Sequence, residues 1–149
     1  PAGSSPVTSA PVNKYADFPT MSTITYGPGG TVSSKDVVDN PAPGCFVGAG
    51  DAMANARRIT CAKPHDFEVY HTVELDTPGN QDDLANTTND RCTAKLRDIR
   101  LVDVVVIGVM VPNQSAWNTH RRRGLCVVYA EPDPGTGKSR EMIGSVADN

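Results

Sequence analysis

The segment of residues 67–75 has the most regular alternation of apolar and polar positions in the chain. One side of an extended chain would carry Phe67, Val69, His71, Val73 and Leu75, and the other would carry Glu68, Tyr70, Thr72 and Glu74. Because successive side chains of a strand point to opposite faces, this pattern predicts a β-strand with one buried face and one solvent face. The next residues read Thr77-Pro78-Gly79-Asn80, whose Pro and Gly favour a turn.

After this turn, the inward-facing positions recur at steps of three and four. Within residues 82–99 they are Leu84, Thr88, Cys92, Leu96 and Ile99. This spacing places them on one face of a helix. Asp82 and Asp83 suit the positive end of its dipole, and Lys95, Arg97 and Arg100 suit the negative end. We therefore predict one helix of moderate length over residues 82–99.

Three further segments are typical of strands. Residues 101–111 are rich in β-branched side chains and too few to cross a membrane, so they predict a central strand that Pro112 ends. Residues 125–130 predict another strand, and residues 59–61 a short one. Strands combined with a single clear helix favour an α+β fold, with a small, largely antiparallel sheet and one main helix.

The N-terminal part differs in composition from the rest. Residues 1–11 contain Pro, Ala, Gly, Ser and Thr with a single Val and no charge, so they cannot nucleate a core. We predict a flexible Pro/Ser/Ala tether over residues 1–14, which connects the domain to an anchor or signal upstream. Residues 15–43 predict an extended arm or a hairpin, because Gly27-Pro28-Gly29-Gly30 separates apolar residues. Residues 44–149 then form the folded domain.

Composition narrows the class of function. Lys and Arg number 14 against 17 Asp and Glu, which gives a net charge of -3. Neutralisation of phosphates therefore does not dominate binding, and we expect no nucleic-acid partner. The chain contains 13 Gly and 12 Pro with only 5% aromatic residues, a composition typical of short elements and many loops.

The cysteines indicate the compartment. Cys45, Cys61, Cys92 and Cys126 are widely spaced and include no Cys-x-x-Cys pair, which favours disulfides. Four cysteines allow three pairings; we favour Cys45 with Cys61, which closes a short loop, and Cys92 with Cys126, which joins the helix to a late strand. Such loops stabilise a fold by about 3 and about 4 kcal/mol. Disulfides predict an extracytoplasmic protein, whereas four reduced thiols would indicate a cytosolic one.

Several motifs that bind ligands or metals are incomplete. Residues 135–139 read Gly-Thr-Gly-Lys-Ser, but a phosphate-binding loop needs Gly where Pro132 stands. Residue types that bind zinc occur at Cys61, His65, Asp66 and His71. A disulfide would occupy Cys61, and His71 lies on the apolar side of its strand, where a hydrogen-bonded core histidine is commoner. We therefore expect no metal and no cofactor.

Pro64, His65, Asp66 and Glu68 are interpreted as a structural motif. Asp side chains bond nearby backbone amides in turns, and Pro64 stiffens the approach to the strand. No Gly-x-Ser-x-Gly elbow is present in the sequence, so we assign no catalytic residue. The alternative is a hydrolase that uses His65, Asp66 or His71 in a cleft, because other triads have no linear signature.

The basic run His120-Arg121-Arg122-Arg123 follows Trp117 closely. Such a run is usually a solvated loop. Arg and Trp are nevertheless enriched together at protein interfaces, and Arg also engages carboxylates and phosphates. We therefore predict binding by Trp117, Arg121, Arg122 and Arg123.

A series of landmarks occurs in order along the chain: Gly44-Cys45-Phe46, Cys61, Pro64-His65-Asp66-x-Glu68-Val69, Thr77-Pro78-Gly79, Cys92, Pro112, Trp117, Gly124-x-Cys126 and Gly144-Ser145. Together they resemble the actinobacterial septum formation domain family over residues 44–145. The resemblance implies an extracytoplasmic domain with paired cysteines, attached to a membrane segment or lipid anchor, in an envelope protein linked to division. It supplies no catalytic residues.

We therefore expect a non-enzymatic, disulfide-linked binding or scaffold domain of the cell envelope, whose partner is an envelope protein or a cell-wall component. Attachment to the membrane would come from an upstream anchor. The alternatives are an accessory subunit of a larger membrane complex and an envelope hydrolase that uses His65 and Asp66.

Overall fold

The computed structural model describes residues 24–48, 50–96, 105–130, 135–136 and 141–146. Within these residues, six strands form one sheet: β1 (Ile24–Tyr26), β2 (Gly44–Val47), β3 (Arg57–Ile59), β4 (Phe67–Glu74), β5 (Val105–Pro112) and β6 (Arg123–Ala130). The helices are α1 (Lys35–Val38), α2 (Gln81–Leu96) and α3 (Gln114–Asn118), with a 3₁₀ helix (Gly50–Asn55) between β2 and β3.

The sheet has the strand order β1-β5-β6-β4-β2-β3. β1 runs parallel to β5, and the other neighbouring strands are antiparallel. The prediction of a largely antiparallel sheet with one main helix is confirmed, since α2 has 16 residues. The parallel pair was not predicted, because β1 has 3 residues and is too short for a periodic pattern.

Both faces of the sheet are covered. Along β6, Leu125 and Val127 belong to one apolar cluster, and Cys126 and Val128 belong to a second one. Large buried side chains of the first cluster include Tyr26, Phe46, Phe67 and Met110. The second cluster contains the buried apolar residues of α2, which are Leu84, Ala85, Cys92 and Leu96.

A β-bulge in β4 changes which side chains share a face. The pairing with β6 shifts register between Val69 and His71, so that Tyr70 is the extra residue. Val69 consequently packs in the first cluster and Val73 in the second. The prediction of a single apolar face and a solvent face is therefore wrong: Glu68 is only 2% exposed and Tyr70 only 4%. The bulge shifts the alternation by one residue, which hydrophobicity alone does not reveal.

The disulfides join Cys45 to Cys61 and Cys92 to Cys126, with Cα atoms 5.2 Å and 5.5 Å apart. The favoured pairing is confirmed. The first bridge links β2 to the turn after β3, and the second links α2 to β6.

A glycine lets α2 approach the sheet closely beside the second bridge. A Cβ atom on Gly124 of β6 would lie 2.6 Å from Cγ2 and 2.8 Å from Cβ of Thr88. Thr88 lies one helical turn before Cys92, so the glycine contact and the bridge occur side by side between the same two elements.

The predicted helix is confirmed as far as Leu96, where the described part of that segment ends. Asn80 caps its first turn, since its side-chain oxygen accepts a hydrogen bond of 2.9 Å from the Asp83 N–H. The strand predicted over residues 101–111 is confirmed as central for Val105–Pro112, and residues 97–104 lie outside the described residues. The strand predicted over residues 125–130 is also confirmed.

The short strand predicted over residues 59–61 is wrong in position. β3 occupies Arg57–Ile59, and Cys61 lies in the following turn. Cys61 is held there by its bridge to Cys45, whose strand neighbour on β3 is Ile59.

The N-terminal described residues belong to the same sheet and core. β1 is an edge strand, and Val32 and Val37 are buried in the first cluster. The predicted tether lies outside the described residues, and the domain boundaries stay a prediction. Among the helices that the structure describes, none is sufficiently long and apolar to cross a bilayer.

Candidate functional site

The basic run lies in the turn between α3 and β6. At the end of α3, the His120 N–H donates to the Trp117 carbonyl at 3.1 Å and the Arg121 N–H donates to the Ala116 carbonyl at 3.0 Å. This bonding is that of a Schellman motif. His120 occupies its left-handed position with a φ of 65°, where Gly is the usual residue. The turn therefore fixes the backbone that carries the three arginines.

Arg121 and Arg123 are held by neighbouring elements. The Arg121 Nε–H donates to the Val38 carbonyl at 2.9 Å, and its guanidinium lies 3.5 Å from an Asp39 oxygen. The Arg123 Nε–H lies 3.2 Å from a Glu74 oxygen. Such surface ion pairs contribute only about 0–1 kcal/mol to folding. Their main effect is to orient the guanidinium groups.

Arg122 is held differently. Its guanidinium carbon lies 4.8 Å from the centroid of the Trp117 ring, and its Nε–H donates to the Trp117 carbonyl at 3.2 Å. Trp117 is itself 8% exposed and packs in the second cluster, so it supports Arg122 from the core. Within the described part of the chain, the terminal amino groups of Arg122 have no hydrogen-bond acceptor. They are available to a ligand.

The side chains of Arg121, Arg122 and Arg123 border a groove of about 540 Å³. Its lining combines the basic residues His120, Arg121, Arg122 and Arg123 with the acidic residues Asp39, Glu74 and Asp76. Guanidinium groups bind carboxylates and phosphates through paired N–H donors, whereas carboxylates accept from amines and hydroxyls. The groove therefore offers both kinds of group to a polar ligand.

The motif at residues 64–68 covers the segment before β4 and the first two residues of that strand. The Asp66 N–H donates to the Phe46 carbonyl at 2.8 Å, and the Asp66 carboxylate accepts from the Gly48 N–H at 2.5 Å. Pro64 is exposed just before these contacts. The hydrogen bonds of Asp66 hold the segment against the end of β2.

His65 and Glu68 form a buried polar cluster beside the first disulfide. His65 is 0% exposed, and its Nδ1 lies 2.8 Å from the Lys63 carbonyl. Because a carbonyl only accepts, Nδ1 carries the hydrogen, and in the neutral ring Nε2 keeps a lone pair. Among the described residues, Nε2 has no partner. The Glu68 carboxylate accepts from Ser145 Oγ at 2.6 Å and from the Val146 N–H at 2.8 Å.

Residues 141–146, here the C-terminal segment, close this cluster. Met142 and His65 exchange two backbone hydrogen bonds of 2.7 and 2.9 Å, and the Gly144 N–H donates to the Cys61 carbonyl at 2.6 Å. One ligand atom from each of Cys45, His65 and Glu68 lies within 4.8 Å of the other two. The cluster thus combines four separate parts of the chain.

In the structure, the residues that were considered as metal ligands from the sequence do not all lie together. His71 lies apart from His65, opposite Cys126 on β6. Burial, together with the nearby Lys95 ammonium, lowers the pKa of His71. Sequence reasoning missed Cys45 as a neighbour of His65, and no local signal connects residues that far apart.

Comparison with known proteins gives one family match. Residues 44–149 match the family model described as septum formation. No curated protein and no solved structure matches the chain.

Proposed function

Because the chain belongs to the septum formation family, we propose that it is an extracytoplasmic domain that binds an envelope protein or a cell-wall component during septum formation. The family match associates the chain with septum formation and cell division. The two disulfides fit an extracytoplasmic location, because disulfides persist outside the reducing cytoplasm. A non-enzymatic binding or scaffold role, an upstream membrane anchor and an actinobacterial source belong to the proposal.

The observation that carries the binding role is the arginine groove. Three consecutive arginines are oriented there by Asp39, Glu74 and the Trp117 ring. Orienting a long side chain before binding reduces the entropy lost when a ligand orders it. The groove is therefore partly preorganised.

The chemistry of the groove favours a partner that carries carboxylate or phosphate groups. Arg122 supplies terminal N–H donors that have no acceptor in the described residues. An anionic ligand could also replace the exposed Asp39 and Glu74 partners of Arg121 and Arg123 at little cost, since such pairs are weak. These properties support Arg121, Arg122 and Arg123 as the binding residues, with Trp117 as their support.

The test follows the full-length protein, fluorescently tagged, in dividing cells of its source organism. We expect the protein at the septum, and we expect the Arg122→Ser/Arg123→Ser variant to lose that enrichment. The matched control is Lys35→Ser/Arg57→Ser, which removes the same charge from exposed positions outside the groove. Circular dichroism of the purified variants verifies that they are folded.

Unchanged septal enrichment in a folded groove variant would contradict the binding role, as would equal loss in the control. The alternatives are an accessory subunit of a larger membrane complex and a hydrolase that uses His65 and Asp66. No contact among the described residues favours either, since His65 is buried and Asp66 bonds the Gly48 amide.

A further inference from the structure

The cluster around His65 and Glu68 has an unusual charge balance for a buried site. Buried carboxylates are normally paired with a cation or a metal. Among the described residues, the Glu68 carboxylate accepts from a hydroxyl and a backbone amide, and the ion pairs lie elsewhere, at Arg121–Asp39 and Arg123–Glu74. The cluster is therefore rich in electron-pair donors, and no cationic side chain of the described residues forms an ion pair with Glu68.

The His65 ring has the arrangement that metal-binding histidines use. Its Nδ1–H bonds the Lys63 carbonyl, which orients the ring and leaves Nε2 as the nitrogen that a metal ion would bind. Nε2 is fully buried and has no partner among the described residues. A metal ion would satisfy this atom and neutralise Glu68 at the same time.

The neighbouring Cys45 sulfur is held in the bridge to Cys61, and a metal binds the thiolate. We propose that reduction of the Cys45–Cys61 disulfide converts this cluster into a Zn²⁺ site, with Cys45, His65 and Glu68 as ligands and the released Cys61 thiolate as the fourth.

The redox step balances with a dithiol as reductant. Two electrons from the dithiol break the S–S bond, two protons complete the two thiols, and the dithiol becomes a disulfide. Zn²⁺ then displaces the two thiol protons as it binds. The Cys92–Cys126 bridge takes no part in the site.

The geometry requires only a small contraction. The candidate ligand atoms of Cys45, His65 and Glu68 lie within 4.8 Å of one another, and Cys61 is bonded to Cys45. Ligand atoms around tetrahedral zinc are separated by roughly 3.3–3.8 Å, given bonds of about 2.0–2.3 Å. Breaking the S–S bond frees the Cys45 sulfur to make that movement. A site with two thiolates, an imidazole and a carboxylate favours zinc over calcium or magnesium, which prefer oxygen ligands.

The experiment uses Co²⁺ as a spectroscopic probe and Zn²⁺ as competitor on the purified full chain. The protein is reduced with dithiothreitol, desalted without oxygen and titrated. We expect a thiolate-to-cobalt absorption band with one equivalent bound, displaced by Zn²⁺, in reduced protein and no such band in oxidised protein. His65→Asn and Glu68→Gln should each weaken binding by roughly tenfold or more.

The matched control is His71→Asn, the same substitution beside the other bridge. It should leave Co²⁺ affinity unchanged. The proposal is overturned if His71→Asn weakens Co²⁺ binding while His65→Asn does not.

A second variant separates metal binding from any unfolding that reduction causes. Cys61→Ser gives Cys45 a thiol without reductant and retains the Cys92–Cys126 bridge. We expect this variant to bind Co²⁺ with a thiolate band through Cys45, His65 and Glu68. Absence of the band in both the reduced chain and Cys61→Ser overturns the proposal, whether or not either protein remains folded.

Discussion

The contact between Gly124 of β6 and Thr88 of α2 provides a sharp stability prediction. In Gly124→Ala, the new Cβ would lie 2.6 Å from Cγ2 and 2.8 Å from Cβ of Thr88. The Cβ of Thr88 is bonded directly to the helix backbone, so no side-chain rotation can move it away. The helix cannot easily retreat either, because Cys92, one turn further on, is bonded to Cys126. The strain must therefore be absorbed by the backbone of both elements.

The expected cost follows from these contacts. Overpacking a buried site costs roughly 1–3 kcal/mol, and we expect about 3 kcal/mol here because the disulfide resists relaxation. Thr88→Ala removes Oγ1 and Cγ2 and leaves only the contact at 2.8 Å. In that background Gly124→Ala should cost about 1 kcal/mol, at the low end of the same range. The coupling free energy is then about 2 kcal/mol.

The assay is urea unfolding of the oxidised wild type, both single variants and the double variant, followed by tryptophan fluorescence. Thr88→Ala also removes a buried hydroxyl that has no partner in the described residues, so its own effect should be small. A coupling below about 0.5 kcal/mol, the level of independent sites, would refute the proposed contact between Gly124 and Thr88.

Three further predictions concern single groups. His120→Gly should raise the free energy of unfolding, measured in urea, by about 0.5–1 kcal/mol. His120 has a φ of 65°, and Gly removes the steric strain of a Cβ at that angle. A loss of stability would contradict the Schellman geometry. Burial raises the pKa of Tyr26, Tyr70 and Tyr129 far above the usual value of 10.0, so the folded state retains their protons and stability should fall as pH rises above that value. Phenolate absorbance should then appear together with unfolding. Gradual ionisation of these tyrosines in the folded protein would contradict the prediction. Burial lowers the pKa of His71 from 6.5, so the unfolded state binds more protons below that pH and stability falls on acidification. His71→Asn should show a weaker pH dependence of the unfolding free energy through this range, and an unchanged slope would argue against the partly buried position of His71.

Hydrophobic periodicity was sufficient for the elements that have a continuous apolar face. α2 follows directly from its residue spacing, and the described part of β5 follows from its β-branched side chains. β4 does not, because the extra Tyr70 moves Val73 to the opposite face of the sheet. One inserted residue changes the hydrophobic pattern of the sequence only slightly. It nevertheless turns the following side chains of the strand to the opposite faces of the sheet.

The sites depend on contacts between distant residues, which local patterns do not encode. The arginine run was visible in the sequence, but Asp39 lies 82 residues before Arg121 and Glu74 lies 49 residues before Arg123. These partners explain why the arginines are oriented.

The buried cluster shows the same limit. The residues considered from the sequence as metal ligands were Cys61, His65, Asp66 and His71, and this set was rejected. The fold instead brings Cys45 to His65 and Glu68, and places Ser145, which is 77 residues from Glu68, over the carboxylate. Long-range closure by the C-terminal segment therefore determines the chemistry at this position.

We propose that the domain, which two disulfides hold together, acts outside the cytoplasm. The most direct measurement is the thiol state of the protein in living cells. Growing cells are quenched in acid, and their proteins are denatured and alkylated without reductant before mass spectrometry. We expect no alkylated cysteine in the mature protein from these cells, and alkylation of all 4 cysteines after reduction. Alkylation of all 4 cysteines without reductant would contradict both the extracytoplasmic location and the disulfide-linked scaffold.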